Sequence, residues 1–209
     1  VKFFCFVGSS CIYPRLCKQP IKEKYLLTDV LEKTNEAYAI AKISGIKMLE
    51  YYNKQYNLNG ISVMPCNLYG PNDNYNLSNS HVIAALIRKI AYAKNHNKKK
   101  IILWGDGSPK REFMHVDDAA NAIIHLIKKV NTYKIINVGS GEEVTIKKLA
   151  SIICKIADYQ GKIIWDHEYP NGTPRKLLDN SYLKKIGFKK KISLIEGIKN
   201  VYEDVNKIF

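Results

Sequence analysis

The chain has 209 residues and carries 33 lysines and arginines against 19 aspartates and glutamates, a formal net charge of +14. Apolar residues make up 46% of it, enough for a globular core, yet no apolar run is long enough to span a bilayer, and the apolar opening lacks the basic flank and cleavage site of a signal peptide. The five cysteines form an odd set with no Cys-x-x-Cys pair, which points away from a zinc site or disulfide framework and toward a reducing, cytoplasmic setting. The positive charge comes almost wholly from lysine scattered through a chain equally rich in Asn, Ile and Tyr. No nucleic-acid motif accompanies it, so neither nucleic acid nor membrane is expected as a partner, and no metal site is expected.

Periodicity predicts strands alternating with helices. Residues 1–7 read as a buried strand, 36–56 as a long helix, 61–65 as a strand, 79–95 as a helix and 101–104 as a strand. A helix over 116–129 begins near Asp117-Asp118, whose charges favour a helix amino end. A strand over 135–138 follows. Thr145 serves as the N-cap of a helix through residue 157 without a capping box, since Lys148 stands where Glu would complete it. A strand over 162–165, a short helix over 181–186 and a terminal helix from Ser193 complete the chain. Such alternation specifies an α/β fold with a mostly parallel sheet.

Two features carry chemistry. Tyr38 and Lys42 stand four apart on the predicted long helix, so they share one face and the ammonium can lie beside the phenol. A phenol with a cationic neighbour can exchange a proton with a carbonyl or alcohol oxygen. The strand ahead of them ends in Gly8-Ser9-Ser10-Cys11, which places hydroxyls and a thiol at the carboxyl edge of the sheet, where open α/β folds bind ligands. The Gly139-Ser140-Gly141 segment reads as a turn rather than a phosphate cradle, because it lacks the third glycine and the βαβ context of a dinucleotide fingerprint.

Together with these features, the runs Val63-Met64-Pro65-Cys66-Asn67-Leu68-Tyr69-Gly70-Pro71, Ser78-Asn79-Ser80-His81-Val82-Ile83, Arg111-Glu112-Phe113-Met114-His115-Val116-Asp117-Asp118 and Gly172-Thr173-Pro174-Arg175-Lys176-Leu177-Leu178-Asp179 resemble, in order, those of the GDP-L-fucose synthase family of extended short-chain dehydrogenase/reductases. Cys11 with His81 narrows the resemblance to that family. It implies a partial Rossmann-type parallel sheet over residues 1–78, with a smaller C-terminal α/β domain for the GDP-sugar over 79–209, from which about 112–138 return to the first. No glycine-rich turn precedes the opening strand. The expectation is therefore a piece of a longer protein whose first cofactor-binding half lies ahead of Val1, a piece that by itself binds NADPH poorly and turns over little.

The resemblance implies epimerisation of GDP-4-keto-6-deoxy-D-mannose at C3 and C5, then reduction at C4 by NADPH, in a protein that dimerises with itself. The implied catalytic residues are Ser9, Cys11, Tyr38, Lys42 and His81, with Cys11 and His81 exchanging protons at the sugar carbons and Tyr38 protonating the C4 oxygen. Gly8, Ser9, Ser10, Lys42, Pro65, Cys66, Asn67, Leu68 and His81 would border the cofactor. Lys89, Trp104, Arg111, Asn171 and Lys176 would hold the substrate, with Arg111 and Lys176 near its diphosphate. Lys89 stands where the family usually has arginine, and Asn171 where it has an acidic residue. His96, His115, His125 and His167 read as structural or surface residues. Three other readings share the fold: a 4,6-dehydratase, which normally has an acidic residue at the position of Cys11; a 4-epimerase, which lacks the Cys and His pair; and a chain that binds a GDP-sugar or a partner without turnover.

Overall fold

A computed structural model describes residues 1–207. In chain order the elements are β1 (Phe4–Val7), α1 (Glu36–Tyr56), β2 (Gly60–Pro65), β3 (Asn67–Tyr69), α2 (Val82–Asn95), β4 (Lys100–Trp104), β5 (Lys110–His115), α3 (Val116–Lys129), β6 (Lys134–Val138), β7 (Glu143–Thr145), α4 (Ile146–Ala157), β8 (Lys162–Asp166), β9 (Arg175–Lys176), α5 (Ser181–Lys185) and α6 (Leu194–Val205). The chain forms two compact units. The first comprises Val1–Leu68, Glu112–Glu143 and Arg175–Lys191; the second comprises, among the described residues, Tyr69–Arg111, Val144–Pro174 and 192–207.

In the first unit β1, β2 and β6 form a parallel sheet in the order β1-β2-β6, in register at Val7↔Val63 and Pro65↔Val138. All six residues of β2 are buried, as expected for the central strand of a parallel sheet. Helix α1 buries Ala39, Ile43, Ile46 and Leu49, which recur at helical spacing and give it one apolar stripe for the sheet. Gly45 makes the approach close, because a Cβ there would run into the Phe6 ring. Ile61, Val63, Met64, Ile136 and Val138 complete this core with Ala122 and Leu126 of α3. The three strands end together, so the segments after Val7, Pro65 and Val138 leave the sheet at one carboxyl edge.

In the second unit β4 and β8 pair in parallel from Lys100↔Lys162 to Trp104↔Asp166. Helices α2, α4 and α6 pack on one another through Leu86, Ile87, Ile90, Leu149, Ile153 and Val201. The expected cap of α4 is present, with Thr145 Oγ1 accepting the Lys148 N–H at 3.1 Å, and Ser193 caps α6 in the same way, its Oγ accepting the Glu196 N–H at 3.2 Å. Among the described residues no helix is long and apolar enough to cross a membrane.

Three local expectations need correction. The opening strand is shorter than residues 1–7 and is not buried: β1 pairs only with β2, and Phe4 and Val7 are 44% and 45% exposed. Helix α2 starts at Val82 rather than residue 79, because Asn76 holds the preceding turn, its Oδ1 accepting the Ser78 N–H at 3.0 Å and its carbonyl the Ser80 N–H at 2.8 Å. The short strands β3, β5, β7 and β9 went unread. They lie where the chain passes from one unit to the other.

Candidate active site

The first unit gathers Ser9, Cys11, Tyr38 and Lys42 at the carboxyl edge of β1. Gly8 is buried where a Cβ would stand 2.5 Å from Met64 Sδ, so only glycine lets the chain turn off the strand there. Ser9 then caps a single helical turn, Ser10–Ile12, its Oγ accepting the Cys11 N–H at 3.2 Å. That bond uses the oxygen as acceptor and leaves the hydroxyl proton for a ligand. Ser10 is buried, whereas Ser9 and Cys11 are half-buried.

Helix α1 packs against this turn. Tyr38 is 49% exposed, and Lys42 Nζ donates to the Val7 carbonyl at 2.8 Å while lying 5.7 Å from the centre of the Tyr38 ring. The helical spacing thus places ammonium and phenol on one face, and the last carbonyl of β1 fixes the ammonium. One of its three N–H donors is used there, and two are left for a ligand.

Lys176, expected beside a diphosphate, directs its Nζ to Cys11 Sγ at 3.6 Å. Its backbone is held by Gln19, whose Nε2 donates to the Arg175 carbonyl at 3.2 Å and whose Oε1 accepts the Leu177 N–H at 2.9 Å. One amide therefore brackets the residue. Glu112, also buried, accepts the Leu178 N–H at 2.9 Å, the Gly141 N–H at 2.6 Å and Asn180 Nδ2 at 3.2 Å. Burial pushes its carboxyl up, against the pull of these donors. Glu112 also settles the glycine segment as a turn, since the Gly141 amide that a phosphate cradle would offer is already bonded to a carboxylate. Sequence reading placed no weight on Gln19 or Glu112. The only hint for Glu112 was a lone acid directly before the apolar pair Phe113-Met114.

The segment after β2 is more enclosed. Pro65 and Cys66 are buried, and the Cys66 thiol is pushed well up by burial. Asn67 Nδ2 donates to the Glu112 carbonyl at 2.9 Å, and half-buried Leu68 packs on the core.

The remaining candidates lie in the second unit. His81 is exposed at the N-cap of α2 and makes no side-chain cap bond. Trp104 stacks on Tyr169 with ring centres 4.4 Å apart and planes 6° apart, and Lys89 Nζ lies 5.4 Å from the Trp104 ring while donating to the Ile102 carbonyl at 3.2 Å. Desolvation pulls the Lys89 ammonium down. Tyr169 carried no sequence signal. Arg111 Nη1 donates to the Lys110 carbonyl at 2.9 Å, and Asn171 Oδ1 accepts the Asp106 N–H at 2.9 Å. Of the other histidines, His115 caps α3 by accepting the Asp117 N–H at 3.2 Å, His125 bonds the Ile186 carbonyl at 2.9 Å, His96 stacks on Tyr92, and His167 is exposed.

The first unit thus has a parallel sheet with serine, tyrosine and lysine at its carboxyl edge, and residues 1–139 match the NAD dependent epimerase/dehydratase family. The chain belongs to that family. It is 50% identical over 203 residues to "Probable GDP-L-fucose synthase 1" of Oryza sativa subsp. japonica, a match covering 97% of this chain and 62% of that relative. The chain thus spans less than two thirds of that relative's length. Among solved structures it is similar to a GDP-6-OMe-4-keto-L-xylo-heptose reductase from C. jejuni, with a TM-score of 0.93 and 32% identity over 100% of this chain and 71% of that one. It is also similar to the GDP-mannoheptose C4 reductase MlghC from Campylobacter jejuni with NADP bound, with a TM-score of 0.86 and 33% identity over 98% of this chain and 70% of that one.

Proposed function

We propose that this chain carries the catalytic residues of a GDP-L-fucose synthase, which epimerises GDP-4-keto-6-deoxy-D-mannose at C3 and C5 and reduces the product at C4 to GDP-L-fucose with NADPH. The observation that carries the reading is the joint placement of Ser9, Cys11, Tyr38 and Lys42 at one sheet edge; 50% identity to a rice protein named for that activity supports it. The first unit serves the cofactor and supplies Ser9, Cys11, Tyr38 and Lys42, and the second serves the GDP-sugar and supplies His81.

The residues fit a nicotinamide dinucleotide. Lys42 keeps two free donors for ribose hydroxyls, and the Tyr38 phenol is exposed next to it. Gly8, Ser9, Ser10 and the segment from Pro65 to Leu68 border the same edge, and the resemblance gives His81 a cofactor contact as well. NADPH, when bound, supplies the hydride for C4.

The Ser9 hydroxyl, its oxygen already engaged by the Cys11 amide, donates to the ketone oxygen of the sugar. A ketone so polarised makes the hydrogens on its neighbouring carbons removable, because the enolate charge falls on the hydrogen-bonded oxygen. The Cys11 sulfur takes such a proton, and His81 returns one. In the reductive half Tyr38 gives its proton to the C4 oxygen, with Lys42 holding positive charge beside the phenol. Arg111, Lys89, Trp104 and Asn171 hold the nucleotide portion. Arg111 offers a forked donor to phosphate, whereas Lys89 offers a single point charge.

A homodimer suits helix α1. Ile40, Met48, Tyr51 and Tyr52 are all about half exposed or more, and their spacing makes one apolar face. A cytoplasmic setting suits the five cysteines, none of which is bonded to another.

The test is direct. A full-length protein containing this chain is incubated with GDP-4-keto-6-deoxy-D-mannose and NADPH, and the product sugar is identified by NMR. GDP-L-fucose is expected. A product reduced at C4 but unchanged at C3 and C5 would replace the reading with a simple C4 reductase, and inversion at C4 without NADPH consumption with a 4-epimerase.

A further inference from the structure

We propose that Lys176 is the counter-ion of Cys11, a positioning residue that holds the sulfur for proton abstraction from the sugar. The inference rests on the function proposed above. Its ground is geometric: Lys176 Nζ stands 3.6 Å from Cys11 Sγ across 165 positions of sequence. The approach is built. Gln19 ties down both neighbours of Lys176, at the Arg175 carbonyl and the Leu177 amide. Two residues further on, the Leu178 amide is bonded to buried Glu112, and Leu178 is itself buried. On the other side, Ser9 fixes the Cys11 amide. Cation and sulfur are thus each anchored through their own backbone.

The other thiol near Lys176 is Cys17. Burial pushes its thiol up by more than the lysine charge lowers it, so Cys17 is not the partner that the ammonium serves.

The step balances within the active site. The C–H bond next to the ketone breaks, its proton forms an S–H bond with Cys11, and the electron pair moves onto the ketone oxygen held by Ser9. The sulfur loses its negative charge while the oxygen gains one, so Lys176 faces an anion before the transfer and a neutral thiol after it. A lysine reserved for the diphosphate would instead bind the substrate equally in ground and transition state.

The test compares Lys176→Met and Lys176→Arg with the parent protein, using two readouts. Iodoacetamide alkylation of Cys11, resolved by mass spectrometry with Cys17 as internal reference, should slow about tenfold in Lys176→Met and recover to within about threefold in Lys176→Arg, because the anionic sulfur is the nucleophile. Deuterium incorporation at C3 and C5 from heavy water should fall about tenfold in kcat with little change in KM for Lys176→Met. Unchanged Cys11 alkylation together with a raised KM would overturn the proposal and give Lys176 to the diphosphate. Lys176→Arg retains the charge, so a general folding defect cannot imitate its recovery. Failure of the underlying function reads differently: Cys11→Ser with full deuterium exchange would remove Cys11 from the chemistry whatever the alkylation rates show.

Discussion

Ser9 and Cys11 share one hydrogen bond, and its direction decides what each can do. The serine oxygen accepts the Cys11 amide, which leaves its proton to donate, while the cysteine backbone is pinned and its sulfur lies beside Lys176. Exchange of the sugar hydrogens requires only the groups that form and quench the enolate. Cys11→Ser and His81→Gln should therefore each cut deuterium incorporation at C3 and C5 by at least about tenfold, ~1.4 kcal/mol of barrier, as read by mass spectrometry in heavy water. Full exchange in both variants would return the two residues to structural roles. At this scale the sequence was informative where spacing is local. Tyr38 and Lys42 were readable because four residues of helix are a fixed geometry. The lysine beside Cys11 was not, because 165 positions separate the pair and only the folded chain closes that distance.

Among the elements, the long helices and central strands were legible because their apolar residues repeat with the period of the structure. The helix starts differ in legibility: Thr145 caps its helix as expected, whereas α3 is capped by the His115 side chain, which the acidic pair after it does not announce. Asp118, read as complementing the dipole of that helix, is buried and accepts the Lys191 N–H at 3.0 Å. The strand β5 was illegible, since its first residues, Lys110-Arg111-Glu112, carry three charges. Glu112 nevertheless ties β5 to the turn after β6 and to residues 178–180. Glu112→Gln puts an N–H where the carboxylate accepts one, and should destabilise the protein by about 1–3 kcal/mol in urea unfolding. The pH trend has a definite sign. A carboxyl whose folded pKa is raised, as burial raises that of Glu112, favours the fold fully below its unfolded value of about 4.3 and loses that contribution as pH rises through the folded pKa. The stability gap between parent and variant should then narrow as pH rises through that range; a gap that widens would show the hydrogen bonds, not burial, to dominate. On α1, Met48→Glu places a charge at a residue 61% exposed, which leaves the fold intact but opposes pairing of two apolar helix faces. Light scattering should show the protein shifting toward monomer, and an undiminished dimer would move the interface elsewhere.

For the whole chain, the alternation of strands and helices was enough to read an α/β fold with a parallel sheet. The chain passes between its two units five times, after Leu68, Arg111, Glu143, Pro174 and Lys191. Such passages have no periodic signature, which is why the strands found at four of them escaped notice. In the function proposed here, Tyr38, the donor for reduction, and Cys11, the base for epimerisation, stand on separate elements of the first unit. They can be separated by a single atom. The most direct measurement is therefore Tyr38→Phe assayed in heavy water with GDP-4-keto-6-deoxy-D-mannose and NADPH, following NADPH oxidation and sugar deuteration in one reaction. NADPH oxidation should fall by more than about tenfold while deuterium still enters C3 and C5. NADPH oxidation at the parent rate, or loss of deuteration together with oxidation, would contradict it.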